Sequence, residues 1–207
     1  MTRLPSHFYA MVDTAGGHDP VSLAGTLLDA GARIMQLRLK DASGRDFLAA
    51  ARAIAEMCRK RGAVLIVNDR VDIAILANAH GVHLGQTDLP LGAARRILTS
   101  NENMMIGIST HNLEQARAAE DGGADYIGFG PMYPGGLRNN VSGKGLDQLR
   151  AVRAAVKIPI VAIGGITESR VAETLAAGAD AVAIITDVLT ASDISAKVRS
   201  ILAIEIE

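Results

Sequence analysis

The chain has few of the residues that would indicate secretion or nucleic-acid binding. Its one cysteine, Cys58, rules out an intrachain disulfide and favours a reducing compartment. Three Phe, three Tyr and no Trp leave few rings on which bases could stack. The 21 basic and 22 acidic side chains nearly cancel, so we expect no extended basic face and no nucleic-acid partner.

Long apolar runs are also missing. Nowhere do about 18 apolar residues follow one another, so we expect no membrane-spanning helix and no membrane partner. The first apolar run, at residues 8–12, is too short for a signal peptide. The 207 residues, 49% of them hydrophobic, suffice to bury one full core. We therefore predict a single domain over residues 1–207, located in the cytoplasm.

A junction recurs along the chain, in which a glycine precedes a short apolar run rich in β-branched residues. Such runs are typical of strands buried on both faces, and a glycine just after a helix accepts the left-handed conformation of a C-cap. The predicted strands lie at residues 8–12, 34–37, 64–67, 82–84, 104–109, 126–129, 159–163 and 181–185. The segments between the strands have helical spacing, and Asp19, Asn112 and Thr167 stand at N-cap positions.

Strands that alternate with helices predict a parallel sheet. Eight units in 207 residues fit an α/β fold of the compact (β/α)8 (TIM) barrel type. A doubly wound open sheet is the alternative, and its dinucleotide-binding version is disfavoured because no G-x-G-x-x-G follows the first strand. In a barrel, the chemistry is expected where the strands end.

Polar side chains lie on one face of the second strand where it ends. Gln36, Arg38 and Lys40 share one face, and Leu37 and Leu39 take the other. Because the leucines belong against the helices, the polar side chains should face the barrel axis. Two cations there need an anion, and a phosphate or pyrophosphate fits Arg and Lys donors well. The alternative is a structural network in which both cations pair with neighbouring carboxylates.

Two carboxylates follow the next two strands. Asp69 lies just after the third strand and Asp88 in the loop after the fourth. They could neutralise Arg38 and Lys40, or they could hold Mg²⁺, which prefers one or two carboxylates together with phosphate oxygens and water. In the fourth strand itself, His83 is read as a core histidine with its hydrogen bonds satisfied.

The last two strand ends suggest a second anion site. Gly164 and Gly165 close the seventh strand, Ile185 ends the eighth and Thr186 follows it. Barrels often bind phosphate with these two loops, through backbone N–H groups and a helix N-terminus. The glycines could equally serve the turn alone.

From about Phe8 to Leu189 the chain resembles the thiamine-phosphate synthase family. The resemblance rests on six segments taken in order, whose sequences are Gln-Leu-Arg-Leu-Lys (36–40), Asn-Asp-Arg-Val-Asp (68–72), Gly-Val-His-Leu-Gly-Gln-Thr-Asp (81–88), Gly-Ile-Ser (107–109), Gly-Pro-Met-Tyr-Pro (130–134) and Gly-Gly-Ile-Thr (164–167). The family joins an aminopyrimidine, carried as its pyrophosphate ester, to a thiazole phosphate. Pyrophosphate leaves and thiamine phosphate forms, so the resemblance implies a transferase of thiamine biosynthesis with small-molecule substrates.

The resemblance also implies roles for individual residues. Arg38, Lys40 and Ser109 would act in catalysis and substrate binding. The other substrate-binding residues would be Gln36 at the pyrophosphate, Asn68 at the pyrimidine, and Gly165, Ile185 and Thr186 at the thiazole phosphate. Asp69 and Asp88 would bind Mg²⁺, the implied cofactor. A homo-oligomer is compatible with all of this.

One loop departs from the family pattern. After Gly-Pro-x-Tyr-Pro the family usually has Thr-x-Thr-Lys, whereas this chain has Gly-Gly-Leu-Arg at residues 135–138. Arg138 stands where the catalytic, substrate-binding lysine belongs, and Lys144 is the other candidate for its charge. Because both threonines are missing, a non-catalytic protein that binds thiamine precursors remains an alternative. A thiazole tautomerase-like isomerase is the other alternative, and it is disfavoured because an isomerase has no evident use for the Mg²⁺–pyrophosphate site that Asp69 and Asp88 would form.

Overall fold

Eight parallel strands pair in sequence order and close into a barrel in the computed structural model of the chain. The strands are β1 (Phe8–Asp13), β2 (Ile34–Arg38), β3 (Val64–Asn68), β4 (Gly81–Leu84), β5 (Met105–Thr110), β6 (Tyr126–Phe129), β7 (Ile160–Ile163) and β8 (Ala181–Ile184). The closure is made by β8 pairing with β1, where Phe8 lies opposite Val182. The (β/α)8 prediction is therefore confirmed, and the open-sheet alternative is wrong.

Helices connect the strands on the outside of the barrel. They are α1 (Pro20–Asp29), α2 (Gly44–Arg61), α3 (Val71–Leu76), α4 (Leu91–Ile97), α5 (Leu113–Asp121), α6 (Gly145–Ala155), α7 (Val171–Ala176), α8 (Thr186–Leu189) and α9 (Ile194–Leu202). The structure describes residues 3–14, 16–100, 103–134 and 142–205. Within these ranges, no helix combines the length and the apolar character needed to cross a bilayer.

Most of the predicted helix boundaries are confirmed, and two differ. Asp19 and Asn112 cap α1 and α5 by accepting from backbone N–H groups, and Gly62 ends α2 in the left-handed conformation. Thr167 precedes a 3-10 turn, but its hydroxyl faces that of Ser169 instead of a backbone N–H, so this capping prediction is wrong. Gly81, the glycine that precedes the predicted strand at residues 82–84, does not end a helix either, because it is the first residue of β4.

The strand side chains divide between two cores. One phase packs outward against the helices, with Leu37, Val67 and Phe129 among its fully buried members. The other phase fills the barrel interior, where Tyr9 and Tyr126 are the largest side chains. Because side chains alternate along a strand, the interior phase of β2 is Ile34, Gln36 and Arg38, as the sequence predicts.

Two interior glycines make room for the rings. A Cβ at Gly107 would lie 2.0 Å from Cζ of Tyr126, and one at Gly128 would lie 3.1 Å from Cε1 of His83. The interior is therefore filled by alternating small and large residues, as a narrow barrel requires. The polar ends of Tyr126 and His83 lie inside this packing.

We expect Gly107→Ala to destabilise the protein by at least about 2 kcal/mol, because the new methyl group must displace the Tyr126 ring in a close-packed core. Gly92→Ala is the matched control: Gly92 lies in α4 with no atom within 4 Å of the added Cβ, and we expect a gain of up to about 1 kcal/mol. Urea unfolding of both variants measures the difference. Equal stability of the two would contradict the packing described for the interior.

Candidate active site

Arg38 lies at the mouth of the barrel, beside a carboxylate from the neighbouring strand. Its Nη1 is 2.5 Å from Oδ2 of Asp13, the last residue of β1, and the two residues are paired in register. Asp13 is only 2% exposed, whereas about a quarter of the Arg38 side chain is exposed. The structural-network alternative therefore holds for Arg38. The pairing also orients its guanidinium, which keeps further donors for a ligand.

Asp69 occupies a strained turn directly after β3. Its φ is +63°, and Arg70 N donates to Asn68 O at 2.7 Å across it, which makes a γ-turn of the rare hand. The Asp69 N–H is held by the carbonyl of His83 on β4, at 2.8 Å. Strain of this kind persists only where the surroundings enforce it and is frequent at functional sites.

The Asp69 and Asp88 carboxylates meet at the mouth. Asp88 is held by the N–H of Gly85, 2.7 Å from its Oδ2. Burial, and then the neighbouring Asp88, raise the pKa of Asp69 to about 6, although Lys40 and Arg38 act to lower it. Two carboxylates and two cations predicted from separate motifs are thus brought together.

This pair of carboxylates fits a magnesium ion. In the part of the chain that the structure describes, His, Cys, Asp and Glu form no metal-binding group of three or more, so the donors here are two carboxylates. Mg²⁺ is usually bound by one or two carboxylates, with waters and substrate phosphates completing its shell. A cation between Asp69 and Asp88 would also stabilise the ionised form of Asp69, which burial and then Asp88 disfavour.

A chain of hydrogen bonds, here called the interior chain, crosses the barrel from β2 to β5. Gln36 Nε2 donates to Tyr9 OH at 3.0 Å, and Tyr9 OH lies 2.8 Å from Tyr126 OH. Tyr126 OH is 3.0 Å from Nδ1 of His83, whose Nε2 is 2.9 Å from Oγ of Ser109. The predicted site residues Gln36 and Ser109 are therefore the two ends of one network.

Burial keeps the interior chain neutral. It lowers the pKa of His83 to about 4 and raises the pKa values of Tyr9 and Tyr126 well above their ordinary range. His83 has both ring nitrogens engaged, as its reading as a satisfied core histidine predicts. Asn68, at the end of β3, is buried, lies opposite His83 in the β3–β4 register and has the inward phase.

The loops after β7 and β8 lie at the same end of the barrel. Gly164 and Gly165 have φ values of +97° and +66°, and a Cβ on Gly165 would lie 2.6 Å from the carbonyl oxygen of Tyr133. The turn therefore needs both glycines whether or not an anion binds. Ile185 is half-buried and Thr186, which begins α8, is exposed.

The loop whose sequence differs from the family pattern falls largely outside the described residues. Residues 135–141, and with them the Arg138 prediction, lie there. Lys144 is described and precedes α6, where its N–H donates to the carbonyl of Pro131 at 2.8 Å. Tyr133, before the loop, donates to Glu173, and the guanidinium of Arg170 lies 4.2 Å from the centre of its ring.

Three residues of the site were not predicted from the sequence, namely Asp13, Tyr9 and Tyr126. Tyr9 and Asp13 share the inward phase of β1, so the alternation that identified Gln36 and Arg38 could have identified them too. The sequence indicates Tyr126 less clearly, because it is the first residue of β6 and lies far from the strand end. Its hydroxyl reaches His83 because its ring lies beside Gly107, a contact that only the fold makes.

Comparison with known proteins identifies the family. The family model described as thiamine monophosphate synthase matches residues 8–188. A thiamine-phosphate synthase of Moorella thermoacetica is 43% identical over 194 residues, which cover 92% of this chain and 91% of that protein. A thiamine-phosphate synthase of Methanoculleus marisnigri is 46% identical over 186 residues, or 89% and 87% of the two chains.

A solved structure agrees with the sequence relatives. Thiamine phosphate pyrophosphorylase from Pyrococcus furiosus superposes with a TM-score of 0.86 at 34% identity, over 94% of this chain and 92% of that one. The fold, the family model and the named relatives all cover the same barrel, including the strand ends that carry the candidate site. The chain belongs to the thiamine monophosphate synthase family.

Proposed function

We propose that the chain joins an aminopyrimidine pyrophosphate to a thiazole phosphate, releasing pyrophosphate and forming thiamine phosphate. The observation that carries the proposal is the meeting of Arg38, Lys40, Asp69 and Asp88 at one barrel mouth. Cations and paired carboxylates suit a pyrophosphate bound together with a divalent cation. The relatives named thiamine-phosphate synthase favour this transferase over the isomerase and the non-catalytic binder.

In the proposed reaction the pyrimidine–oxygen bond ionises, and the thiazole nitrogen then attacks the resulting cation. Arg38 and Lys40 donate to the pyrophosphate, whose charge grows as the bond breaks, so their attraction is strongest in the transition state. Asp13 holds Arg38 in place through its ion pair. Ser109 and Asn68 bind the same substrate, and Gln36 lies deeper on β2, two residues before Arg38.

We further propose that Asp69 and Asp88 hold Mg²⁺. When bound, the ion supplies positive charge that stabilises the departing pyrophosphate. The two side chains would position it against pyrophosphate oxygens, because the γ-turn at Asp69 and the Gly85 N–H at Asp88 restrict both carboxylates. Ionised carboxylates are required for this task, so the raised Asp69 pKa has to fall when the ion binds.

The second substrate is proposed to bind beside the loops after β7 and β8. Gly165, Ile185 and Thr186 offer backbone N–H groups and one hydroxyl at the same end of the barrel. In this proposal Arg138 supplies the loop cation, with Lys144 as the alternative. The enzyme is further proposed to be cytoplasmic, supported by its single, buried cysteine.

Incubation with both substrates and Mg²⁺, followed by assay of pyrophosphate and thiamine phosphate, tests the proposed function. We expect equal amounts of the two products and no product in excess chelator. Isomerisation of a thiazole without metal would identify the tautomerase alternative. Tight binding of the substrates with no turnover would identify the binding protein.

We expect Arg38→Ala to weaken binding of the pyrimidine pyrophosphate by roughly 10- to 100-fold, because charge-assisted hydrogen bonds contribute about 1.5–3 kcal/mol each. Binding of the thiazole phosphate should change little. Isothermal titration with each substrate measures both effects. Arg61→Ala, which removes an exposed arginine at the end of α2, is the control.

The Arg38→Ala change also leaves Asp13 buried without its cation. The double variant Arg38→Ala/Asp13→Asn removes that charge and separates loss of binding from loss of stability. If both variants lose affinity for the two substrates equally, the proposed separation of two anion sites is wrong.

We expect Asp69→Asn to reduce turnover on the order of 100-fold with Mg²⁺ and to raise the melting temperature without it. The folded-state pKa of Asp69, about 6, lies above the ordinary value of 3.8. Without a divalent ion, stability therefore falls as the pH rises from about 4 to 6 and stays lower above that window. Asparagine removes this charge and still accepts a positive φ.

Thermal unfolding in chelator at pH 7.5 and pH 4 measures the stability effect. The gain from Asp69→Asn should be present at pH 7.5 and absent at pH 4. Asp72→Asn is the control, because Asp72 pairs with Arg70 at the surface and its pKa is lowered. A variant that melts below the wild type at pH 7.5 would contradict the raised pKa of Asp69.

A further inference from the structure

The interior chain connects two groups that the proposed function places on one substrate. Gln36 and Ser109 are its ends, and Tyr9, Tyr126 and His83 lie between them. The three middle residues are at most 8% exposed. Water therefore does not complete their hydrogen bonds, and each donor and acceptor has to be matched within the barrel.

Because each donor has to face an acceptor, all hydrogen bonds of the interior chain must point the same way along it. Each tyrosine hydroxyl has a single proton, and the neutral His83 ring has a single N–H. If Gln36 Nε2 donates to Tyr9, then Tyr9 donates to Tyr126 and Tyr126 donates to Nδ1 of the ring. The ring proton is then on Nε2 and points at Ser109 Oγ. A mixed arrangement would either leave a buried proton without an acceptor or set two oxygen or nitrogen lone pairs against each other with no proton between them.

The structure places Nε2 of Gln36 against the Tyr9 hydroxyl, and this placement implies the direction from Gln36 to Ser109. Ser109 then accepts from His83, and its own hydroxyl proton remains for a ligand at the mouth. An anion held by Arg38 and Lys40 needs donors, so the same direction suits the ligand. At the other end, Oε1 of Gln36 takes no part in the interior chain and remains an acceptor.

The reverse direction requires the Gln36 amide to turn over. Oε1 would then accept from Tyr9, Ser109 would donate to His83, and the lone pairs of Ser109 would face the anion. The two ends are therefore coupled. When Ser109 donates to the ligand, Gln36 offers it an acceptor; when Ser109 accepts from the ligand, Gln36 offers it a donor.

We propose that Tyr9, Tyr126 and His83 are positioning residues that make Ser109 a donor to the pyrophosphate and Gln36 an acceptor for the ring amino group. Gln36 is thereby moved from the pyrophosphate, where the family resemblance put it, to the ring, because it lies two residues deeper in β2 than Arg38 and its Oε1 is not used by the interior chain. This proposal rests on the proposed function for the identity of the substrate. It makes the interior chain a specificity device. A 4-oxo pyrimidine offers lone pairs where the 4-amino group offers a proton, and the amide cannot turn to suit it without reversing Ser109.

The tautomer of His83 tests the direction without any measurement of activity. We would record ¹⁵N imidazole shifts of the whole chain with inorganic pyrophosphate and MgCl₂. The His83 signals are assigned by their loss in His83→Gln, and by their shift in Ser109→Ala should the first variant not fold. We expect a proton on Nε2 and none on Nδ1. A proton on Nδ1 would overturn the proposal.

Tyr126→Phe tests the specificity, because it keeps the ring and removes the central hydroxyl of the interior chain. We expect kcat/KM for the amino substrate to fall about tenfold. The preference for the amino substrate over its 4-oxo analogue should also fall at least about tenfold, since the Gln36 amide is then free to turn. Tyr9→Phe breaks the interior chain one step earlier and serves if Tyr126→Phe does not fold.

Thr110→Val is the matched control, because it removes a buried hydroxyl from the outward face of the same strand as Ser109. Its preference for the amino substrate should equal that of the wild type. A folded Tyr126→Phe or Tyr9→Phe protein with unchanged preference would overturn the proposal. A wild-type protein that makes no thiamine phosphate would instead refute the proposed function, and the tautomer measurement would still stand.

Discussion

Eight parallel strands closed into a barrel must place every second side chain in one narrow interior, and the rest of the structure depends on this constraint. A small barrel has no room for water around polar groups, so each one that enters has to bring its partner. Arg38 forms an ion pair with Asp13, and Gln36 and Ser109 are linked through two tyrosines and a histidine. The glycines at 107 and 128 are the steric counterpart of these rings.

Electrostatics at the mouth follows from the same geometry. Parallel strands all end at one side, so the cations after β2 and the carboxylates after β3 and β4 converge although they are far apart in sequence. Burial and then the neighbouring Asp88 make the ionised form of Asp69 unfavourable, which raises its pKa. The Mg²⁺ proposed above would offset this cost when it binds.

The interior and the mouth are thus connected. Asp69 depends on the His83 carbonyl for its turn, while the His83 ring reaches Ser109. Arg38 is oriented by Asp13 of β1, the strand that neighbours β2 on the side away from β3. The family model extends from residue 8 to residue 188 and so covers all eight strands that carry these contacts.

The sequence by itself determined the strand order, the inward-facing residues of β2 and the candidate residues at the strand ends other than that of β1, because alternation and helix spacing are local properties of the chain. It also indicated the capping residues of α1 and α5, but not the failure of Thr167 to cap, since a hydroxyl chooses among partners that only the fold brings near. Only the tertiary structure decided that Arg38 pairs with Asp13 and that Tyr9, Tyr126 and His83 form one chain. Those contacts join strands that are distant in sequence, and closure of the barrel selects them.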